Sequence, residues 1–119
     1  MNKPDDFDVW RLPDDGSVQK VTVQNDTKVP NAVTLVIERE DHTLGNLLRM
    51  QLLEDREVTF SGYRVPHPLE PAIQVKVQTR SEDPGPVQAV HNAINLCEAE
   101  LDVMRTSFKN SLAAVNRSR

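Results

Sequence analysis

Three histidines and a single cysteine are the residues of this chain best suited to metal, acid–base or nucleophilic chemistry. His42, His67 and His91 fall in three separate predicted elements, without a recognisable set of cysteine or carboxylate ligands. We interpret each as a cap, a loop contact or a surface residue. Cys97 lies on the apolar line of a predicted helix, where a cysteine acts as a small hydrophobe. The pattern predicts no catalytic residue, no metal site and no cofactor.

Two further features need an explanation. Gly45 stands inside a predicted helix, where glycine costs about 0.5–1 kcal/mol relative to alanine, so we expect another backbone to approach it closely. The acidic run of Glu38, Glu40 and Asp41 is typical of a solvated turn that also caps the following helix.

Composition limits the class of protein. The 119 residues predict one domain, 1–119, because a second core would bury too little surface. A net charge of −4 argues against direct nucleic-acid binding, which needs a concentrated excess of Lys and Arg. One cysteine allows no internal disulfide, and the amino end shows no apolar leader, so a reducing intracellular compartment is expected.

Hydrophobic periodicity predicts the elements that carry these residues. Residues 1–16 are predicted to form an extended arm held by an apolar island, and residues 116–119 a short tail. Alternation predicts strands at 21–24, 33–37, 58–65 and 73–77, with a bulge near Gly62 in the third. Helical spacing covers residues 43–54 and about 86–115. The predicted class is α+β, with one four-stranded antiparallel sheet and two helices packed on one face.

The last predicted helix has more apolar surface than one small sheet can cover. Its apolar residues form two adjacent lines that span roughly 160° of the helix. At about 1.5 Å per residue the helix extends roughly 43 Å, whereas four strands are only about 19 Å across. An overhanging apolar stripe is typical of an association surface. The leucines of the first helix also point in several directions, although a central helix in a compact monomer would show the same pattern.

Two sequence blocks carry a family resemblance. The string from Glu40 to Arg49, EDHTLGNLLR, resembles the signature of the small alpha-like subunits of archaeal and eukaryotic RNA polymerases. The string from Phe60 to Leu69, FSGYRVPHPL, resembles the second block of that family, and the strand after it also matches. The opening residues 1–7 and the segment 26–32 are similar to the polymerase II branch. The resemblance extends to about Phe108, and the residues beyond depart from that branch.

The resemblance implies a nuclear, non-catalytic polymerase subunit that forms a heterodimer with the larger, third alpha-like subunit. This pair would be the platform on which the large catalytic subunits assemble for mRNA transcription. The implied partner surface comprises Leu44, Leu47, Leu48, Leu52, Val90, Ile94, Cys97, Leu101, Met104 and Phe108. The implied contacts with other polymerase subunits are His42, Thr43, Gly45, Asn46, Arg49, Tyr63, His67 and Pro68. No direct contact with nucleic acid or membrane is expected.

Three alternatives remain at this point. The chain could be the alpha-like subunit shared by polymerases I and III. It could also be a stand-alone α+β module that holds a ligand between helix and sheet. An enzyme would need a convergent polar constellation, which the sequence lacks.

Overall fold

Four antiparallel strands and two α-helices form the main body of the part of the chain that the structure describes. A computed structural model describes residues 5–119. The strands are β1 (Val21–Asn25), β2 (Ala32–Glu38), β3 (Val58–Arg64) and β4 (Ala72–Thr79), and the helices are α1 (His42–Leu53) and α2 (Pro86–Arg117). The strand order across the sheet is β1-β2-β4-β3, with every neighbouring pair antiparallel. The predicted fold class is confirmed.

The core lies between the two central strands and the helices. Leu35 pairs with Val75 and Ile37 pairs with Ile73, so alternate residues of β2 and β4 form one continuous apolar face. Leu52 of α1 is completely buried against this face. Complete burial of a leucine contributes about 1.5–3 kcal/mol, so this layer carries much of the domain's stability.

The helices cover only part of the sheet. α1 packs over β3 and β4, and α2 packs over β4 and β2. β1, at the edge beyond β2, is exposed along its whole length. Val21 and Val23 pair with Ile37 and Leu35, which places them on the helical side of the sheet. The helical side therefore ends in an uncovered apolar edge at β1.

Local signals place both helix starts. The Asp41 carboxylate accepts a hydrogen bond from the Thr43 backbone N–H at 2.9 Å, which caps α1. The cap thus comes from the acidic run, as predicted. α2 begins at Pro86 after Gly85, as predicted, because the first turn of a helix does not need the missing proline N–H.

The bulge in β3 lies earlier than predicted. The pairing of β3 with β4 shifts between Val58 and Phe60, whereas the prediction put the irregularity at Gly62. Because of the extra residue, Ser61 and Tyr63 face the helices and Phe60 faces the opposite side, half-exposed. The buried Ser61 hydroxyl donates to the Arg49 carbonyl at 3.3 Å, which satisfies it in an apolar layer.

The arm and the tail also differ from the prediction. Residues Asp6–Val9 form one turn of 3-10 helix, and residues 1–4 of the arm lie outside the described residues. The Arg39 side chain holds the arm by donating from Nε to the Arg11 carbonyl at 3.2 Å. At the other end α2 continues to Arg117, so the first two residues of the predicted tail are helical.

Candidate functional site

The carboxyl-terminal part of α2 extends beyond the rest of the domain. α2 contains 32 residues, or about 48 Å of helix, and every residue from Glu98 onward is exposed. Leu101 is 57% exposed, Met104 66% and Phe108 69%. At about 100° per residue these side chains, with Ile94, fall within an arc of about 80°. The predicted overhang is present, and its exposed face is apolar.

Three residues of the predicted partner surface belong to the chain's own core. Leu48, Leu52 and Val90 are buried against the sheet, so a partner cannot contact them on the folded domain. Helical spacing alone marks apolar residues without saying which side the sheet occupies. Leu44 is half-buried against the same core, so only its outer side remains open.

The other predicted residues are accessible. Leu47 of α1 and Ile94 of α2 are nearly half-exposed, and the predicted side chains further along the overhang are more than half-exposed. Cys97 lies between the helices, with its sulfur 3.9 Å from the Gln51 side-chain oxygen. Burial, with smaller contributions from Glu100 and Glu54, raises the pKa of the Cys97 thiol, which favours the neutral form over a nucleophilic thiolate.

Sequence reasoning missed several exposed apolar residues of this surface. Leu112 was missed beyond Phe108, although helical spacing could have found it; Val115, which the predicted apolar line does include, is exposed there as well. Met50 and Leu53 extend the exposed side of α1 next to Leu47. The exposure of Val21 and Val23 of β1 could not be predicted, because the alternating pattern of a strand does not show which part of the sheet the helices leave uncovered.

The polar edge predicted around α1 is built on a glycine and a tyrosine. A Cβ added to Gly45 would lie 2.5 Å from Cδ2 of Tyr63, so a tyrosine ring occupies the space that a side chain would need. The expected close neighbour is thus a side chain of β3 and not another backbone. The Tyr63 hydroxyl is 2.8 Å from Nδ1 of His42, and the two rings meet edge to face at 5.6 Å. Gly45 therefore lets the ring reach His42 at the start of α1.

The remaining residues of this edge lie at the surface, and hydrogen bonds with their neighbours hold their side chains in place. The Arg49 guanidinium donates twice to the Asn46 side-chain oxygen, at 2.8 and 3.2 Å. The backbone and hydroxyl hydrogen bonds from Thr43 hold the pKa of the Asp41 carboxyl below its usual value, so the cap is ionised at neutral pH. The edge therefore carries an ionised carboxylate at the start of α1 and, about two turns further along, a guanidinium held by Asn46.

The acidic run before α1 starts at the last residue of β2, Glu38, and only Glu40 and Asp41 lie in the predicted turn. Glu40 forms an ion pair with Lys20 at 2.8 Å, and Glu38 pairs with Arg39 at 3.1 Å. Within residues 5–119 no group of three metal-ligating side chains comes together. In the same part of the chain no helix is long and apolar enough to cross a membrane.

A groove of about 690 Å³ lies beside the polar edge, between the amino-terminal arm and the loop after β3. Val9 and Trp10 form one wall, and Pro68 and Leu69 form the other. Trp10 is 68% exposed, so the apolar island holds the arm less tightly than expected. His67, on the same loop, is exposed, with Nε2 4.0 Å from Glu70. The loop prediction for His67 and Pro68 is therefore compatible with an accessible surface.

Comparison with known proteins identifies the family. Residues 32–107 match the family described as the RNA polymerase Rpb3/Rpb11 dimerisation domain, which is more than half of the chain. The chain belongs to the Rpb3/Rpb11 dimerisation-domain family. The match begins with β2 and ends next to Phe108, so it includes both blocks that carry the resemblance.

Within the Rpb3/Rpb11 family, three similar curated relatives are named as polymerase II subunits. The chain is 43% identical to the polymerase II subunit rpb11 of Dictyostelium discoideum, over 91% of this chain and 88% of the relative. It is 45% identical to the probable RPB11 of Caenorhabditis elegans, over 87% and 82%. The RPB11 of Schizosaccharomyces pombe is 40% identical over 91% and 85%. The predicted polymerase II branch is confirmed, and the chain is a subunit of the RPB11 type.

A solved structure supports the family fold. The RNA polymerase subunit L of Thermoplasma acidophilum superimposes with a TM-score of 0.68, covering 85% of this chain and 98% of the archaeal chain. The two sequences are 21% identical, so this likeness concerns the fold alone. The sequence match gives the family, and the superposition independently gives the fold.

Proposed function

We propose that this chain is a non-catalytic subunit of nuclear RNA polymerase II that forms a heterodimer with the larger, third alpha-like subunit. The pair serves as the platform on which the large catalytic subunits assemble for mRNA transcription. The observation that carries this proposal is the overhang of α2, exposed from Glu98 onward with an apolar stripe along it. The family's description as a dimerisation domain supports the same use.

The surface offered to the larger subunit consists of the accessible apolar residues of α2 and α1. Its centre is Leu101, Met104 and Phe108, with Ile94 and Cys97 towards the domain. Leu47 and the outer side of Leu44 extend it onto α1. Burying large apolar side chains at the centre of an interface supplies most of its binding energy.

The polar edge and the groove are proposed to contact further polymerase subunits. The accessible residues of the edge are His42, Thr43, Asn46, Arg49 and Tyr63, and His67 and Pro68 belong to the loop beside it. Gly45 is buried behind the Tyr63 ring, so it supports the edge and is not itself a contact, contrary to the prediction. The His42–Tyr63 pair lies at the start of α1, whereas Cys97 contacts Gln51 near its end. No residue of either surface needs a metal or a cofactor for this role.

The proposal is tested by placing a charge in the centre of the stripe. Leu101→Asp or Met104→Asp would bury an unpaired carboxylate in an apolar seam, which we expect to weaken pairing by on the order of 100-fold. The measurement is recovery of the co-expressed larger alpha-like subunit with the tagged chain. Both positions are exposed in the free chain, so the variants should fold normally.

Thr106→Asp is the matched control, because Thr106 is equally exposed but lies on the opposite side of α2. It should leave pairing unchanged. Undiminished recovery of the larger subunit with both stripe variants would reject this surface.

A further inference from the structure

We propose that, when the larger subunit is absent, the α2 overhang binds a second copy of this chain in an antiparallel homodimer. This goes beyond the proposed heterodimer, although it uses the same stripe. A free chain would then be stored as a dimer that the larger subunit must displace. The proposal rests on the order of side chains along the stripe, the distribution of charge along α2 and the uncovered edge at β1.

The side chains of the stripe are complementary to themselves when two copies of α2 run in opposite directions. The stripe alternates steps of three and four residues, as in helices that pack along a common seam. With the two-fold axis between Asp102 and Val103, Leu101 lies opposite Met104 of the second copy. Cys97 then faces Phe108 of that copy, and Ile94 faces its Ser111. The two small residues, Cys97 and Ser111, thus meet the large residues Phe108 and Ile94. Pairing small with large side chains fills the space between two helices well.

The charges of α2 favour the same direction. Glu98, Glu100 and Asp102 are all acidic and Arg105, Lys109 and Arg117 are all basic, so the two halves of the overhang carry opposite charge. An antiparallel pair places the acidic half beside the basic half, whereas a parallel pair would place like beside like.

One pair of charges fixes the register. Glu98 and Arg105 lie on the same flank of the stripe, and in this register Glu98 of each copy faces Arg105 of the other. Both side chains are exposed, and neither forms an ion pair within residues 5–119. The dimer therefore contains two equivalent interchain ion pairs that the monomer leaves unmade.

The sheet provides room for the second helix. Since α1 covers β3 and β4 and α2 covers β4 and β2, the side of α2 away from α1 lies above β1. The antiparallel register brings Val115 of the second copy level with Val90, where α2 rests on the sheet. The last turns of the second α2 would thus cover Val21 and Val23, which the monomer leaves about half-exposed.

Sedimentation equilibrium of the purified chain, without any partner, tests this. We expect a monomer–dimer equilibrium for the unmodified chain. Glu98→Arg and Arg105→Glu each turn both ion pairs into repulsions, so each variant should dimerise about tenfold more weakly. An equimolar mixture of the two variants, and the double variant Glu98→Arg/Arg105→Glu, should regain dimerisation, because opposite charges face one another again. Asp14→Arg, with the same change of charge in the arm, should have no effect.

Two outcomes would overturn the homodimer. The unmodified chain could remain a monomer at every concentration, or Glu98→Arg could leave dimerisation unchanged, as in a parallel pair where Arg105 faces Glu100. Neither outcome affects the heterodimer, whose test is recovery of the larger subunit. If the homodimer formed but the larger subunit were not recovered with the unmodified chain, the proposed function alone would be rejected.

Discussion

Gly45 shows how a single residue links the fold to a functional edge. The sequence marks it as costly within a helix, and the structure supplies the reason in the ring of Tyr63, which would meet any Cβ at that position. The ring in turn reaches His42, so the glycine, the tyrosine and the histidine act as one unit. The identity of the neighbour was not predictable, because it depends on the bulge that turns Tyr63 towards the helices.

Replacing Gly45 with alanine should therefore destabilise the domain even though alanine is the better helix former. Overpacking costs about 1–3 kcal/mol, which outweighs the gain of about 0.5–1 kcal/mol in helix propensity. Urea unfolding measures the change in the free energy of unfolding. In a Tyr63→Ala background the ring is absent, so the same substitution should become stabilising. A stabilising Gly45→Ala change with Tyr63 intact would contradict this packing.

At the scale of elements, periodicity predicted the order of strands and helices and the excess length of α2. It could not predict features that depend on tertiary packing. The helical pattern of α1 includes Leu47, Leu48 and Leu52 alike. The packing of α1 over β3 and β4 buries Leu48 and Leu52 and leaves Leu47 exposed. The bulge was misplaced because Val58 and Phe60 alternate like an unbroken strand, and the extra residue at Thr59 is visible only in the pairing with β4.

The overhang of α2 should contribute little to the stability of its own domain. Residues 101–119 are all exposed, so a chain that ends at Glu100 loses no core contact. We expect cooperative thermal unfolding, with a free energy of unfolding within about 1 kcal/mol of the reference. The reference is the full-length Leu101→Asp variant, because its seam is already blocked and both chains are then compared as monomers. Loss of cooperative unfolding in the shortened chain would show that the overhang belongs to the domain.

For the whole molecule, the physical features of the chain lead only as far as a domain that requires a partner. The wide apolar face of α2 and the modest sheet predicted that requirement, and the exposed stripe agrees with it. The identity of the family came from two short blocks, around Gly45 and Tyr63, and from the match over residues 32–107. Composition could not supply that identity, since many small α+β domains share it.

The most direct test of the central claim is to recover the tagged full-length chain from its own cells under native conditions and identify what is bound. The account predicts the larger alpha-like subunit in a one-to-one ratio, together with the large subunits of polymerase II, and loss of all of them with Leu101→Asp. Recovery of the chain with polymerases I and III, or without any polymerase subunit, would contradict it.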